Sequence, residues 1–203
     1  MAKATTETSV TDEAEVEIDL KDPRLAAFLA WLIPGLGHFY QGRTGKGILF
    51  FVCIVGTFYY GLYIGGGRVV YASTAPVFSM QFLQDRWQYV CQVGVGLPAL
   101  PALVQRQRVR DGKAPWFGNE RYFMRPPSMA PSESKDETNP NNTVNHPDEL
   151  AKWNYDLGDY FEIGTVFTVI AGLLNILAIY DAYGGPLIIV PPDDKKKPLP
   201  ATT

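Results

Sequence analysis

The residues best placed to do chemistry lie in one run, Ile33-Pro34-Gly35-Leu36-Gly37-His38-Phe39-Tyr40-Gln41-Gly42-Arg43, with Lys46 and Gly47 just behind it. His38 can change charge near neutral pH, so a carboxylate beside it would complete an acid–base pair. If the apolar segment before His38 crosses a membrane, parity puts His38 at the same end as Glu162. Asp181 then lies at the other end, near Lys21 and Arg24. The simpler reading is structural: Pro34 and the glycines break a helix, His38, Phe39 and Tyr40 sit at an interface, and Arg43 and Lys46 hold the turn at lipid headgroups. QGRTGKG is only superficially a phosphate loop, because Gly47 stands where Ser or Thr should bind magnesium and no strand precedes it. Two distant histidines and two cysteines, Cys53 and Cys91, do not match a zinc spacing. No catalytic, cofactor or metal site is expected, and the chain is read as not an enzyme.

The elements that position this run are apolar. Four windows contain no Asp, Glu, Lys or Arg: residues 25–42, 47–67, 87–105 and 163–180. A membrane-spanning helix needs roughly 20 apolar residues, and all four windows are of about that length. The second and fourth are continuous. The third carries Gln88, Gln92, Pro98 and Pro101, which predicts a kinked or protein-buried span. The first is interrupted at Pro34-Gly35-Leu36-Gly37, so it either crosses as a broken span or re-enters. Residues 69–84 lack charge but are polar and short, and read as an interfacial loop.

The expected organisation is a disordered acidic tail (1–22), a helical hairpin (23–67), a loop (68–86) and a transmembrane helix (87–105). A polar excursion (106–162) with an amphipathic helix over 148–161 follows, then a transmembrane helix (163–181) and a Pro/Lys tail (182–203). The first 22 residues hold seven acids and two lysines and have no apolar core, unlike a signal peptide. Arg106, Arg108, Arg110 and Lys113 follow the third window and place the excursion in the cytoplasm by the positive-inside rule. The part from Arg125 to Pro147 is rich in Pro, Ser, Asn and acids and reads as disordered. Asp156, Asp159 and Glu162 are expected to pair with Arg106 to Arg110.

Small residues recur at four-residue spacing as Thr57, Gly61 and Gly65, and as Gly164, Thr168 and Gly172, with Asn175 on nearly the same face as the second set. Such lines allow close helix approach. They predict that the second and fourth windows pack together, with Asn175 donating a hydrogen bond across the interface.

A short apolar helix, the run Gly35, Gly37, His38, Phe39, Tyr40, Gly42, Arg43 and Gly47, and a second apolar helix together resemble the TM2 domain, a two-helix membrane module. The resemblance covers residues 23–67. That module usually has an Arg between the His and the Phe-Tyr pair and an aspartate ending its second helix. Here the Arg is missing, and only Ile179-Tyr180-Asp181, in the last window, looks like that ending. The whole arrangement, AGLLNILAIYDAYGGP included, is similar to uncharacterised membrane proteins of planctomycete-type bacteria. Neither resemblance implies a chemical activity.

These readings converge on an all-α, polytopic helical membrane protein with three to four membrane-embedded helices and disordered tails, placed in a bacterial cytoplasmic membrane. Its expected partners are the lipid bilayer, a protein recruited by the cytoplasmic excursion and a second copy of the chain in a homo-oligomer. Nucleic acid is not expected, since the arginine cluster reads as topogenic and the net charge is −3. The expected role is a structural or interaction module. The alternative is a component of a transporter or channel, with Gln88, Gln92, Asn175 and His38 as its polar path.

Overall fold

A computed structural model describes residues 21–76, 79–116, 123–128 and 148–185, together with the backbone of Ser132–Lys135 and Thr143–His146. Apart from their innermost residues, both terminal tails lie outside the described residues. In chain order the helices are α1 (Pro23–Leu32), α2 (Leu36–Tyr40), α3 (Thr44–Ile64), α4 (Met80–Asp85), α5 (Trp87–Gln92), α6 (Pro101–Arg110), α7 (Glu149–Leu157) and α8 (Asp159–Gly184). The fold is predominantly helical. Two helices are long and apolar enough to cross a membrane: α3, with 21 residues, and α8, with 26. At 1.5 Å per residue they extend about 31 and 39 Å.

α3 and α8 pack antiparallel. A Cβ built on Gly61 would come within 2.8 Å of Gly164 O, and one on Gly164 within 2.6 Å of Gly61 O, so the backbones touch where side chains are absent. At the other end of the pair, Arg43 and Lys46 reach Asp181.

The first window turns back on itself. Asp22 caps α1 by accepting from Arg24 N at 2.9 Å, and Pro23 occupies the first turn, where its missing N–H costs nothing. Ile33 is extended, as a residue before proline prefers, and α1 stops there. Gly35 adopts φ +85° and starts α2 in the reverse sense. α1 lies along the last turns of α8, with Ala26 and Ala30 against Ala182. α2 then brings His38 back to Asp181. Both ends of this hairpin are thus at the Asp181 end of α8, so the segment folds back on itself.

The third window, expected as a transmembrane helix over 87–105, is not one continuous helix. α5 ends at Gln92, and two single 3-10 turns follow, Val93–Val95 and Leu97–Ala99, separated by Gly96 at φ +85°. Pro98 and Pro101 each remove a backbone donor, and α6 restarts at Pro101. α5 enters from the Asp159 end of α8, and α6 returns to the level of α4, where Arg106 Nε donates to Ser73 O at 2.5 Å. Tyr89 OH donates to Ala99 O at 3.0 Å and ties the two arms together.

The molecule is therefore two long helices flanked by two opposed half-length hairpins. The α1–α2 hairpin covers the C-terminal half of α8 and the α5–α6 hairpin its N-terminal half. They meet tip to tip, where Trp31 Nε1 donates to Val93 O at 3.2 Å. A Cβ at Gly96 would overlap Trp31 O, so only glycine allows this contact.

The Asp159 end carries a cap. Val69, Val70, Tyr71 and Ala72 are buried there, and Trp153 of α7 is fully buried with its ring edge-on to Tyr71 at 6.0 Å. The loop after α3 is thus core rather than merely interfacial. α7 breaks from α8 at Gly158, φ +52°. The stretch read from composition as disordered contains an antiparallel pair of strands, β1 (Ser132–Lys135) and β2 (Thr143–His146), in register Ser132 with His146. Arg125, just before it, is held by Glu149 of α7.

Candidate functional site

Polar side chains gather at three levels along α8. At its C-terminal end, Asp181 is surrounded by cations. His38 Nε2–H donates to Asp181 Oδ2 at 2.8 Å, Arg43 Nη2 lies 2.9 Å from the same oxygen, and Lys46 Nζ lies 3.3 Å from Oδ1. An ionised carboxylate only accepts, so the histidine proton on this contact belongs to Nε2. His38 is fully buried, its ring rests on Phe50 at 4.8 Å, and its Nδ1 has no partner among the described residues. Gln41 Nε2 donates to Ala182 O at 2.5 Å, and Lys21 Nζ to Tyr40 O at 2.7 Å. The whole α2 turn is laced to the end of α8.

The contact between His38 and Asp181 overturns the parity argument, which paired His38 with Glu162. That argument assumed a crossing; the hairpin returns, and His38 ends beside Asp181. Gly35, Gly37, Gly42 and Phe39 shape this turn without acting chemically. A Cβ at Gly37 would overlap Ala26 O, and Gly47 fits against the Phe39 ring.

At mid-height, Asn175 is fully buried. Its Nδ2 donates to Ala30 O at 3.1 Å and to Gly94 O at 2.8 Å, one carbonyl from each hairpin. These are backbone acceptors freed by the two helix breaks. Its partners are α1 and the turn after α5, rather than α3. Gly172, one turn earlier, abuts Cys91 O, where any Cβ would overlap. Gly65 lies against both neighbours: a Cβ on it would overlap the Val69 side chain, and its backbone faces Gly164 of α8. One spacing pattern therefore serves two neighbours: Gly164 faces α3, while Gly172 and Asn175 face the hairpins.

At the Asp159 end, two arginines are buried. Arg86 is 7% exposed, with its guanidinium 3.9 Å above the Tyr71 ring and Nη2 donating to Val69 O at 3.0 Å. Its Nε is buried without a partner among the described residues. Burial lowers its pKa from the ordinary arginine value, and burial likewise raises that of the Tyr71 phenol. Arg106 donates to the carbonyls of Ser73 and Ala75. The ion pairs described at this end are Arg68 with Asp156, Lys113 with Asp111 and Arg125 with Glu149. The expected pairing of Asp156 with Arg106 to Arg110 is thus corrected: Asp156 faces Arg68, because Arg106 turns inward to the loop carbonyls. Gln92 Nε2 donates to Thr168 Oγ1 at 2.8 Å and to Val69 O at 3.2 Å.

Reading the sequence singled out neither Arg86 nor the role of Asp181. Two signals were present. Arg86 directly precedes a charge-free window and follows the apolar run Val69 to Ala72, and Asp181 is the first charge after another such window. Two cavities border Arg86. One of about 550 Å³ lies between α5 and α8, and one of about 400 Å³ lies beside the loop at Tyr71 to Thr74. Among the described residues no group of three or more His, Cys, Asp or Glu could hold a metal ion.

No curated protein and no solved structure matches the chain. A family of unknown function, DUF6677, matches residues 25–195, from the first turn of α1 to beyond the end of α8. The chain belongs to the DUF6677 family.

Proposed function

We propose that this chain is an integral membrane protein with two full crossings, α3 and α8, and two half-depth hairpins entering from opposite faces. It acts as a structural or interaction module, not as an enzyme. The observation that carries the membrane reading is the outward direction of the apolar side chains. Only 28% of the apolar window of α3 and 33% of that of α8 is buried. Leu49, Val52 and Leu177 are 58%, 60% and 66% exposed. The core helix of a water-soluble protein would hide such residues, whereas lipid solvates them. Irregular backbone at membrane depth is tolerated when it is buried in protein, which is how the hairpin tips are held by Asn175, Trp31 and Gly96.

The module reading rests on how the internal polar groups are used. Asp181, Asn175 and Gln92 fasten hairpins and loop to the long helices. The segment between α6 and α8 lies on the cytoplasmic face, given the Arg106 to Lys113 cluster, and is the part offered to a protein partner. The TM2-like turn is the fastening of the first hairpin. Membranes extracted at alkaline pH should retain the protein, and purification in mild detergent should carry a stoichiometric partner that is lost when residues 113–148 are deleted. Release by alkali would contradict the membrane reading.

One observation favours transport as a second reading. Gln92 Oε1 and Asn175 Oδ1 are buried without partners among the described residues, as sites for water or an ion would be. Flux in proteoliposomes that is abolished by Gln92→Leu would support it.

A further inference from the structure

The cavity between α5 and α8 has a polar mouth and an apolar wall. Arg86, Gln88, Asn154 and Glu162 line it near the Asp159 end, and Val166, Val169 and Ile170 continue it along α8. From Glu162 to Ile170 the wall runs about 12 Å along the helix axis. Its volume is about 550 Å³, and it opens on the side of the bundle where Trp87 is exposed. A groove that begins among charges and continues between aliphatic side chains has the profile of one lipid molecule: headgroup at the interface, acyl chain inward.

The two charges at the mouth specify the headgroup. Arg86 is a buried cation held by one carbonyl and the faces of the Tyr71 and Phe161 rings, with no carboxylate in ion-pair contact among the described residues. Asp85, its neighbour in sequence, accepts instead from Ser73 Oγ at 2.9 Å. A phosphodiester would supply the missing anion. Glu162 lines the same cavity, is exposed and makes no described ion pair. A headgroup with phosphate alone would set its negative charge against Glu162. A choline headgroup neutralises that charge but cannot donate hydrogen bonds. A primary ammonium both neutralises and donates.

We propose that this groove binds one phospholipid with a primary-amine headgroup, of the phosphatidylethanolamine class. Its phosphate faces Arg86, its ammonium faces Glu162, and one acyl chain lies along Val166, Val169 and Ile170. The site rests on the reading that the chain is embedded in a bilayer.

The test uses delipidated full-length protein in neutral detergent. It is titrated with phosphatidylethanolamine, phosphatidylcholine and phosphatidylglycerol of identical acyl chains, and retained lipid is read by native mass spectrometry. The ethanolamine lipid should be retained about fivefold over the other two, the size of one partly exposed charge pair against phosphatidylglycerol and of one hydrogen bond against phosphatidylcholine. Glu162→Ala, at an exposed position, removes both the charge and the hydrogen-bond acceptor and should bring ethanolamine and choline lipids to parity. Ile170→Trp should fill the apolar wall and lower retention of all three. Arg86→Gln should do the same, and if it fails to fold, the Glu162 and Ile170 variants decide. Equal retention of the three lipids by the native protein, or an ethanolamine preference that survives Glu162→Ala, overturns the proposal. Alkaline extraction separates the two readings: release from the membrane overturns the membrane reading and the site with it, whereas a protein that stays embedded but shows no headgroup preference overturns the lipid site alone.

Discussion

The two hairpins reach the same level of α8 from opposite ends, and they are closed by different chemistry. The α1–α2 hairpin is fastened by a charge on α8 itself: Asp181 collects His38, Arg43 and Lys46. Among the described residues the α5–α6 hairpin has no such acid. Its arginines, Arg86 and Arg106, turn to loop carbonyls and to the rings of Tyr71 and Phe82. The first hairpin is a local turn that continues straight into α3, so one ionic clamp suffices to seat it. The second carries a long excursion and is capped by the buried loop at Val69 to Ala72 and by Trp153. A carboxylate partner for its arginines would have to come from that cap, and the described carboxylates there are engaged elsewhere or face the cavities. The tips themselves share one device, glycine at φ +85° in both Gly35 and Gly96, and one anchor, Asn175.

Substitutions can break or sharpen this comparison. Gly96→Val should do most harm. It forces a side chain into Trp31 O at a left-handed backbone position, with a cost of about 3 kcal/mol, and thermal unfolding in detergent should show it. Asn175→Leu removes the anchor of both tips and leaves two buried carbonyls unpaired. A loss of about 1–3 kcal/mol is expected, with faster hydrogen exchange in both hairpins. Asp181→Asn should act on one hairpin only: its side chain is 36% exposed, so about 1 kcal/mol is expected, with exchange rising in α1–α2 and unchanged in α5–α6. Equal loosening of both hairpins would show that the clamps are not independent. Lys46→Gln, at a half-exposed position, should change stability by less than about 0.5 kcal/mol.

Much of this is legible in the residues, and the gaps have physical causes. Charge exclusion and length find α3 and α8, because a helix able to cross a membrane must be long and nearly free of charge. The same filter passes 25–42 and 87–105, because protein-buried hairpins must also exclude charge. Length cannot tell a single span from two half-spans, but the breakers can: Pro34-Gly35 and Gly96-Leu97-Pro98 mark both tips. The contact between His38 and Asp181 was hidden by the crossing assumed for the first window. Arg86 was hidden because a buried arginine paired with carbonyls and a ring leaves no charge pattern in the chain.

The central claim is that only α3 and α8 cross, and that each hairpin returns to the face it entered from. Single cysteines, in a chain with Cys53 and Cys91 replaced by serine, test it directly. They are placed at Arg24, Gly45 and Gly184 at one end and at Thr74, Lys113 and Tyr155 at the other, and probed with a membrane-impermeant maleimide on oriented vesicles. The account predicts that the first three label together from one face and the last three together from the opposite face. Labelling of Arg24 and Gly45 from opposite faces, or of Thr74 and Lys113 from opposite faces, would contradict it.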